Sequence, residues 1–160
     1  MQPNERSEFN VVLYQPVIPG NTGAIARLCA CTGARLHLIH PLGFQVDAAA
    51  VKRAGLDYWA HVDISNHANW QSFLKAETPA HLLFFSKLAE QSYAQAKLEP
   101  PVYLVFGNET QGLPKEVWES YPKEFFLQVP MRTHLVRSLN LAQCAAVVLY
   151  EALRQNGFPL

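Results

Sequence analysis

Apolar residues along this chain fall into two spacings, and their order predicts strands alternating with helices. Short unbroken runs at Phe9–Tyr14 (FNVVLY), Arg35–Ile39 (RLHLI), His81–Ser86 (HLLFFS), Val102–Phe106 (VYLVF) and Phe125–Val129 have the length and content of strands. His81–Ser86 and Val102–Phe106 are apolar on both faces, as strands of a parallel sheet under helices are. A shorter piece at Val62–Ile64 predicts one more strand. Elsewhere the period lengthens. Ile25, Leu28 and Cys29 mark one face of a helix opened by Asn21-Thr22-Gly23 and stopped at Gly33. Trp70, Phe73 and Leu74 mark another over Ala68–Glu77, capped by Ser65 or Asn66. Asp47 predicts a helix through Ala54 and a turn over Gly55–Tyr58. Pro114 begins a short helix, and the last helix spans Asn140–Asn156 before Gly157.

This alternation predicts an α/β fold: a three-layer sandwich with a mainly parallel sheet, one domain over residues 9–160 after a polar, flexible leader, Met1–Glu8. Ligands of such folds bind beyond the carboxyl ends of the strands. Three polar loops follow apolar strands here, Pro16–Gly23, Gly107–Gly112 and Pro130–Asn140, and they are expected to converge on one edge.

Composition narrows the function. With 160 residues, 49% hydrophobic and 16% charged, the chain has enough apolar mass for one real core. Its formal net charge of zero argues against a strongly basic, non-specific nucleic-acid binder and leaves a local basic face open. Cys29, Cys31 and Cys144 lack ligand spacing, and His37, His40, His61, His67 and His81 are scattered. Reduced core thiols and no metal are therefore expected. No apolar run approaches the roughly 18–20 residues that span a bilayer. A cytoplasmic protein without a membrane partner is expected.

Three segments carry candidate chemistry. In Asn21-Thr-Gly-Ala-Ile-Ala-Arg27, helix-start amides attract an anion and the Arg27 guanidinium has the reach of a phosphate in the same cleft; a helix cap and a solvated arginine would give the same letters. In Phe106-Gly-Asn-Glu-Thr-Gln-Gly-Leu113, two glycines bracket Glu109, which has the position to tie this loop to the Asn21 loop, or the turn is purely structural. It matches neither the GxxxxGK[ST] nor the GxGxxG phosphate loops. In the third segment, Ser138 and Asn140 stand where the last helix begins, as caps or as ligand-holding groups. Ser138 with His134 lacks the GxSxG elbow and an orienting Asp, which disfavours a hydrolase. On the last helix Glu151 and Arg154 have the spacing to pair, and the apolar Ala145–Leu149 run predicts deep packing or a shared face.

Taken together, NTGxxxR, then FGxExxGL after a strand, then PMxxxxxxSLNL leading into a YEAxR helix resemble the SPOUT superfamily, and within it the TrmH-like RNA 2′-O-ribose methyltransferases. The chain is most similar to the minimal TrmL type, with VVLYQPVIPGNTGAIARLCACTGARLHLIHPLGF and RAGLDYW extending the match over most of its length. The resemblance implies a C-terminal deep trefoil knot, a homodimer and methyl transfer from S-adenosylmethionine. The implied acceptor is the ribose of the wobble nucleotide, cytidine or modified uridine, of leucine tRNAs; the alternative is the same chemistry on another tRNA position or on rRNA. It implies cofactor contacts at Phe85, Gly107, Glu109, Gly112, Val129, Ser138 and Leu139, and catalytic roles for Arg27, Ser138 and Asn140. Asn21, Arg137, Tyr150 and Arg154 are expected to meet the RNA.

Overall fold

The computed structural model describes residues 8–46 and 59–160; the expected leader up to residue 7, the helix from Asp47 and the turn at Gly55–Tyr58 lie outside the described residues. The sheet holds seven strands: β1 (Phe9–Tyr14), β2 (Arg35–Ile39), β3 (Ile64–His67), β4 (Leu82–Phe85), β5 (Gln91–Ser92), β6 (Val102–Phe106) and β7 (Phe126–Gln128). Their spatial order is β3-β2-β1-β6-β4-β7-β5, and every pairing is parallel. Among the described residues the α-helices are α1 (Pro19–Thr32), α2 (Trp70–Glu77), α3 (Lys115–Ser120) and α4 (Leu141–Gln155).

Side chains alternate across the sheet, which makes two cores. Val11, Leu13, Leu36, Leu38, Leu104 and Phe106 face α1 and α4, and pack on Ile25, Cys29, Val148 and Leu149. Val12, Ile39, Tyr103, Val105 and Phe84 face α2 and α3, and pack on Trp70, Phe73 and Val117. Each fully buried Leu, Ile or Phe contributes about 1.5–3 kcal/mol, so the central strands anchor everything built on their ends. Helix stops follow local chemistry. Gly33 ends α1 at φ 73°, with its N–H donating to the Cys29 carbonyl at 2.9 Å.

Several boundaries depart from expectation. Residues 64–67 pair with β2 from Leu36↔Ile64 to Ile39↔His67, so the third strand extends past Val62–Ile64 and holds Ser65 and Asn66 extended. Helix α2 can begin only afterwards. Its cap is Asn69, whose side chain accepts from the Ser72 N–H at 2.8 Å, in place of Ser65 or Asn66. Helix α1 starts at Pro19, two residues before Asn21, because proline at the first helical positions already has helical φ and lacks a donor that would be left unpaired. Phe125 belongs to a 3₁₀ turn and β7 begins one residue later. Of the three free cysteines, Cys29 is buried and Cys144 half-buried, but Cys31 is exposed and is no core thiol. Glu8, just before β1, is tied to the sheet, its carbonyl accepting from the Val102 N–H at 2.9 Å.

Candidate active site

Strand order turns back between β1 and β6: β2 and β3 follow β1 on one side, while β6, β4 and β7 lie on the other. A cleft of about 370 Å³ opens there, beyond the carboxyl ends of β1, β6, β4 and β7. Its walls include Asn21, Phe85, Gly107, Glu109, Gly112, Val129, Ser138, Leu139 and Asn140, nine of the expected site residues. The three loops do converge.

Hydrogen bonds fasten the walls in pairs. Glu109 accepts from the Val17 N–H at 2.9 Å, the Ile18 N–H at 3.1 Å and the Asn21 side-chain amide at 3.3 Å. These donors stand at the start of α1, where backbone amides lack helical partners and a negative charge is favoured. Asn21 is therefore no cap; it lies in the first turn and bridges Glu109 to the last helix. Its Oδ1 accepts from the Asn140 amide at 3.0 Å, while Asn140 Oδ1 caps α4 by accepting from the Ala142 and Gln143 N–H groups at 2.9 and 3.3 Å. Asn140 is both cap and site residue. Lys87 Nζ donates to the Arg137 carbonyl at 3.1 Å, joining the loop after β4 to the segment before α4.

The turn after β6 is held from inside. Asn108 and Gly112 exchange backbone hydrogen bonds at 3.2 and 3.1 Å, and Asn108 Oδ1 accepts from the Thr110 and Gln111 N–H groups at 3.0 and 2.6 Å. Gly112 sits at φ 68°. A Cβ on Gly107 would lie 2.2 Å from the Gly112 carbonyl carbon and 2.4 Å from the Leu113 nitrogen, so only glycine fits. Replacing Glu109 with Ala leaves the Val17 and Ile18 amides without their carboxylate. We expect a loss of about 1–3 kcal/mol in denaturant unfolding, with Glu109→Gln recovering part of it; equal stability of Glu109→Ala and the parent chain would refute the tie.

Other expected residues lie apart from this cleft. Arg27 is exposed on α1, two turns beyond its start, and does not line it. Tyr150 is exposed on α4. Arg137 meets the cleft wall through its carbonyl. Arg154 makes a two-pronged bond to Glu151 at 2.8 and 2.9 Å, as the spacing predicts, and this pairing holds the Glu151 carboxyl down at about 2. Among the described residues no hydrogen bond joins Ser138 to His134, and both are exposed. The sequence reading missed Lys87, Leu88, Met131 and Cys144 as wall residues. The first two directly follow Phe85 and Ser86, so the end of an apolar strand was the available signal.

The sequence pattern of the SpoU rRNA methylase family matches residues 8–150. The chain belongs to that family. A tRNA (cytidine(34)-2′-O)-methyltransferase of Saccharophagus degradans is 46% identical over 150 residues, covering 94% of this chain and 97% of its own. The crystal structure of a putative RNA methyltransferase from Bacillus anthracis is 45% identical, covers 94% of this chain and 96% of its own, and superposes with a TM-score of 0.88. The SpoU methyltransferase AviRb from Streptomyces viridochromogenes, solved in complex with S-adenosylmethionine, is 25% identical with a TM-score of 0.78, covering 96% of this chain and 60% of its own. As a SpoU methylase the chain is an RNA-modifying methyltransferase.

Proposed function

We propose that this protein methylates the ribose 2′-hydroxyl of the wobble nucleotide, cytidine or modified uridine, of leucine tRNAs. The observation that carries the reading is the meeting of all three family segments in one cleft at the turning point of the sheet, alongside near full-length similarity to a tRNA (cytidine(34)-2′-O)-methyltransferase.

The residues present fit the cofactor. The cleft has the size of a small-ligand pocket, and the bare Cα of Gly107 brings main chain to its surface. Phe85, Gly107, Val129 and Leu139 would hold S-adenosylmethionine, and Glu109 and Gly112 would keep the loop between them in shape. The cofactor supplies a methyl group already attached to a good leaving group, so the protein's work is orientation and charge stabilisation. Ser138, exposed at the rim, and Asn140, locked by its bonds to Asn21 and α4, orient the ribose. Arg27 is no simple base: a guanidinium has no acceptor and keeps its proton. Its role is to hold a substrate phosphate, which takes up the proton leaving the 2′-hydroxyl, and to stabilise the alkoxide that develops on the 2′-oxygen.

Two architectural features belong to the same reading. The segment from Val129 to Leu141 passes through the preceding loops as a deep trefoil knot; its sharing of one cleft with Ser86–Leu88 and Gly107–Leu113 supports this. Two copies pair through α1 and α4, supported by the outward Ile18, Val147 and Tyr150. The pair pools the cations that one neutral chain spreads thinly, and Asn21, Arg137, Tyr150 and Arg154 contribute to the RNA face. None of the described helices is long and apolar enough to cross a membrane, in keeping with work on tRNA in the cytoplasm. Methylation assays on tRNA from a strain lacking this modification test the whole reading; transfer to another tRNA position or to rRNA would replace the substrate while keeping the chemistry.

A further inference from the structure

On the face of the sheet covered by α2, away from the cofactor cleft, three buried side chains meet: His37 from β2, His67 from the end of β3 and Glu77 from the last turn of α2. His37 Nδ1 lies 3.1 Å from His67 Nε2 and 3.9 Å from Glu77 Oε1, and the three donor atoms all fall within 4.8 Å of one another. Two of the atoms turned away from this centre are anchored. Asn10 donates its amide to the Val102 carbonyl at 3.3 Å, which leaves its Oδ1 to accept from His37 Nε2 at 3.0 Å. His37 therefore carries its proton on Nε2 and turns a lone pair on Nδ1 toward the centre. Glu77 does the same with its oxygens: Oε2 accepts from the Tyr103 hydroxyl at 3.2 Å and lies 3.6 Å from Arg35, while Oε1 faces the histidines. His67 Nε2 lies 3.1 Å from that acceptor nitrogen and donates its proton to it in the metal-free protein; a metal ion held by the cluster would replace that proton.

We propose that His37, His67 and Glu77 form a binding site for a divalent transition metal of the zinc or cobalt class, which staples β2, β3 and α2 together. Two imidazoles and one carboxylate oxygen are a familiar ligand set for such ions, and outer partners that fix the ring tautomer and the second carboxylate oxygen are what metal sites use to aim their ligands. Metal–ligand distances of about 2.0–2.2 Å require donors somewhat closer than the widest of these, a closure that small side-chain rotations supply. The absence of a metal expected from residue spacing overlooks this cluster, because its members are separated by 30 and 10 positions in the chain.

The test is a Co²⁺ titration of chelator-treated, tag-free protein carrying Cys31→Ser, which removes the exposed thiol. One equivalent is expected to bind with the visible d–d absorption of a nitrogen–oxygen site and to be displaced by Zn²⁺. His67→Gln and Glu77→Gln should weaken binding far more than tenfold, and Tyr103→Phe, which touches no metal, by about tenfold. Zn²⁺ at a hundredfold excess over its Kd should raise the thermal midpoint of the parent chain by about 5–10 °C. Folded parent protein that shows neither the absorption nor the shift overturns the proposal, as does undiminished binding by folded His67→Gln. Should a variant fail to fold, the parent titration and melting shift decide alone.

Discussion

Arg27→Ala should all but abolish methyl transfer, by at least about 10²–10³-fold, while S-adenosylmethionine binds as before. The magnitude is that of removing one group which stabilises charge developing in the transition state. The division of labour follows from position: the residues proposed to hold the cofactor line the cleft, whereas Arg27 stands outside it on the exposed side of α1. Arg27→Lys keeps the charge but loses the planar fork that grips phosphate oxygens, and should recover only a fraction of the rate. Calorimetric titration with the cofactor, run beside a single-turnover assay on tRNA, separates the two effects. Cofactor affinity falling in parallel with rate would place Arg27 in the cofactor site and overturn this assignment.

The second large effect is at Gly107. A methyl group there meets main chain, 2.2 Å from the Gly112 carbonyl carbon and 2.4 Å from the Leu113 nitrogen, and main chain cannot swing aside as a flexible side chain does. The turn tied by the Asn108–Gly112 pair has to open. Gly107→Ala should cost about 1–3 kcal/mol of stability, as overpacking does, and should bring cofactor binding below detection. Gly20 supplies an internal control. It lies in the first turn of α1, and an added Cβ meets nothing within 4 Å, so Gly20→Ala should fold and bind normally with stability equal or slightly higher. Chemical denaturation and cofactor titration of the two variants read the contrast. Similar behaviour would mean that the tight turn does not shape the cofactor site.

How much of this could be read from the letters depended on where the stabilising interactions lie. β1, β2 and β6 run over the residues the apolar runs predict, because a strand buried on both faces needs an unbroken apolar stretch. β3 and β5 were harder. Ile64–His67 and Gln91–Ser92 are polar edge strands, held by backbone pairing to β2 and β7 and not by any pattern of their own. The cleft was legible because its walls are motif residues at strand ends. The Asn21–Glu109–Asn140 linkage was only half visible. The tie from Glu109 to the Asn21 loop follows from two loops sharing an edge, but the bond between Asn21 and Asn140 joins residues 119 positions apart. The buried His37–His67–Glu77 group had no local signal, since the pairing of β2 with β3 and the docking of α2 assemble it. Arg154 shows the reverse case: the pairing with Glu151 is local on one helix and was read directly.

The most direct measurement is transfer of labelled methyl groups from S-adenosylmethionine to total tRNA isolated from a strain without the modification, followed by mapping of the methylated nucleotide. The proposed function requires label on the ribose 2′-oxygen of the wobble nucleotide of leucine tRNAs, present with the parent protein and absent with Arg27→Ala. Folded protein that binds the cofactor yet transfers no methyl group, or that places it on a base or a different nucleotide, would contradict it.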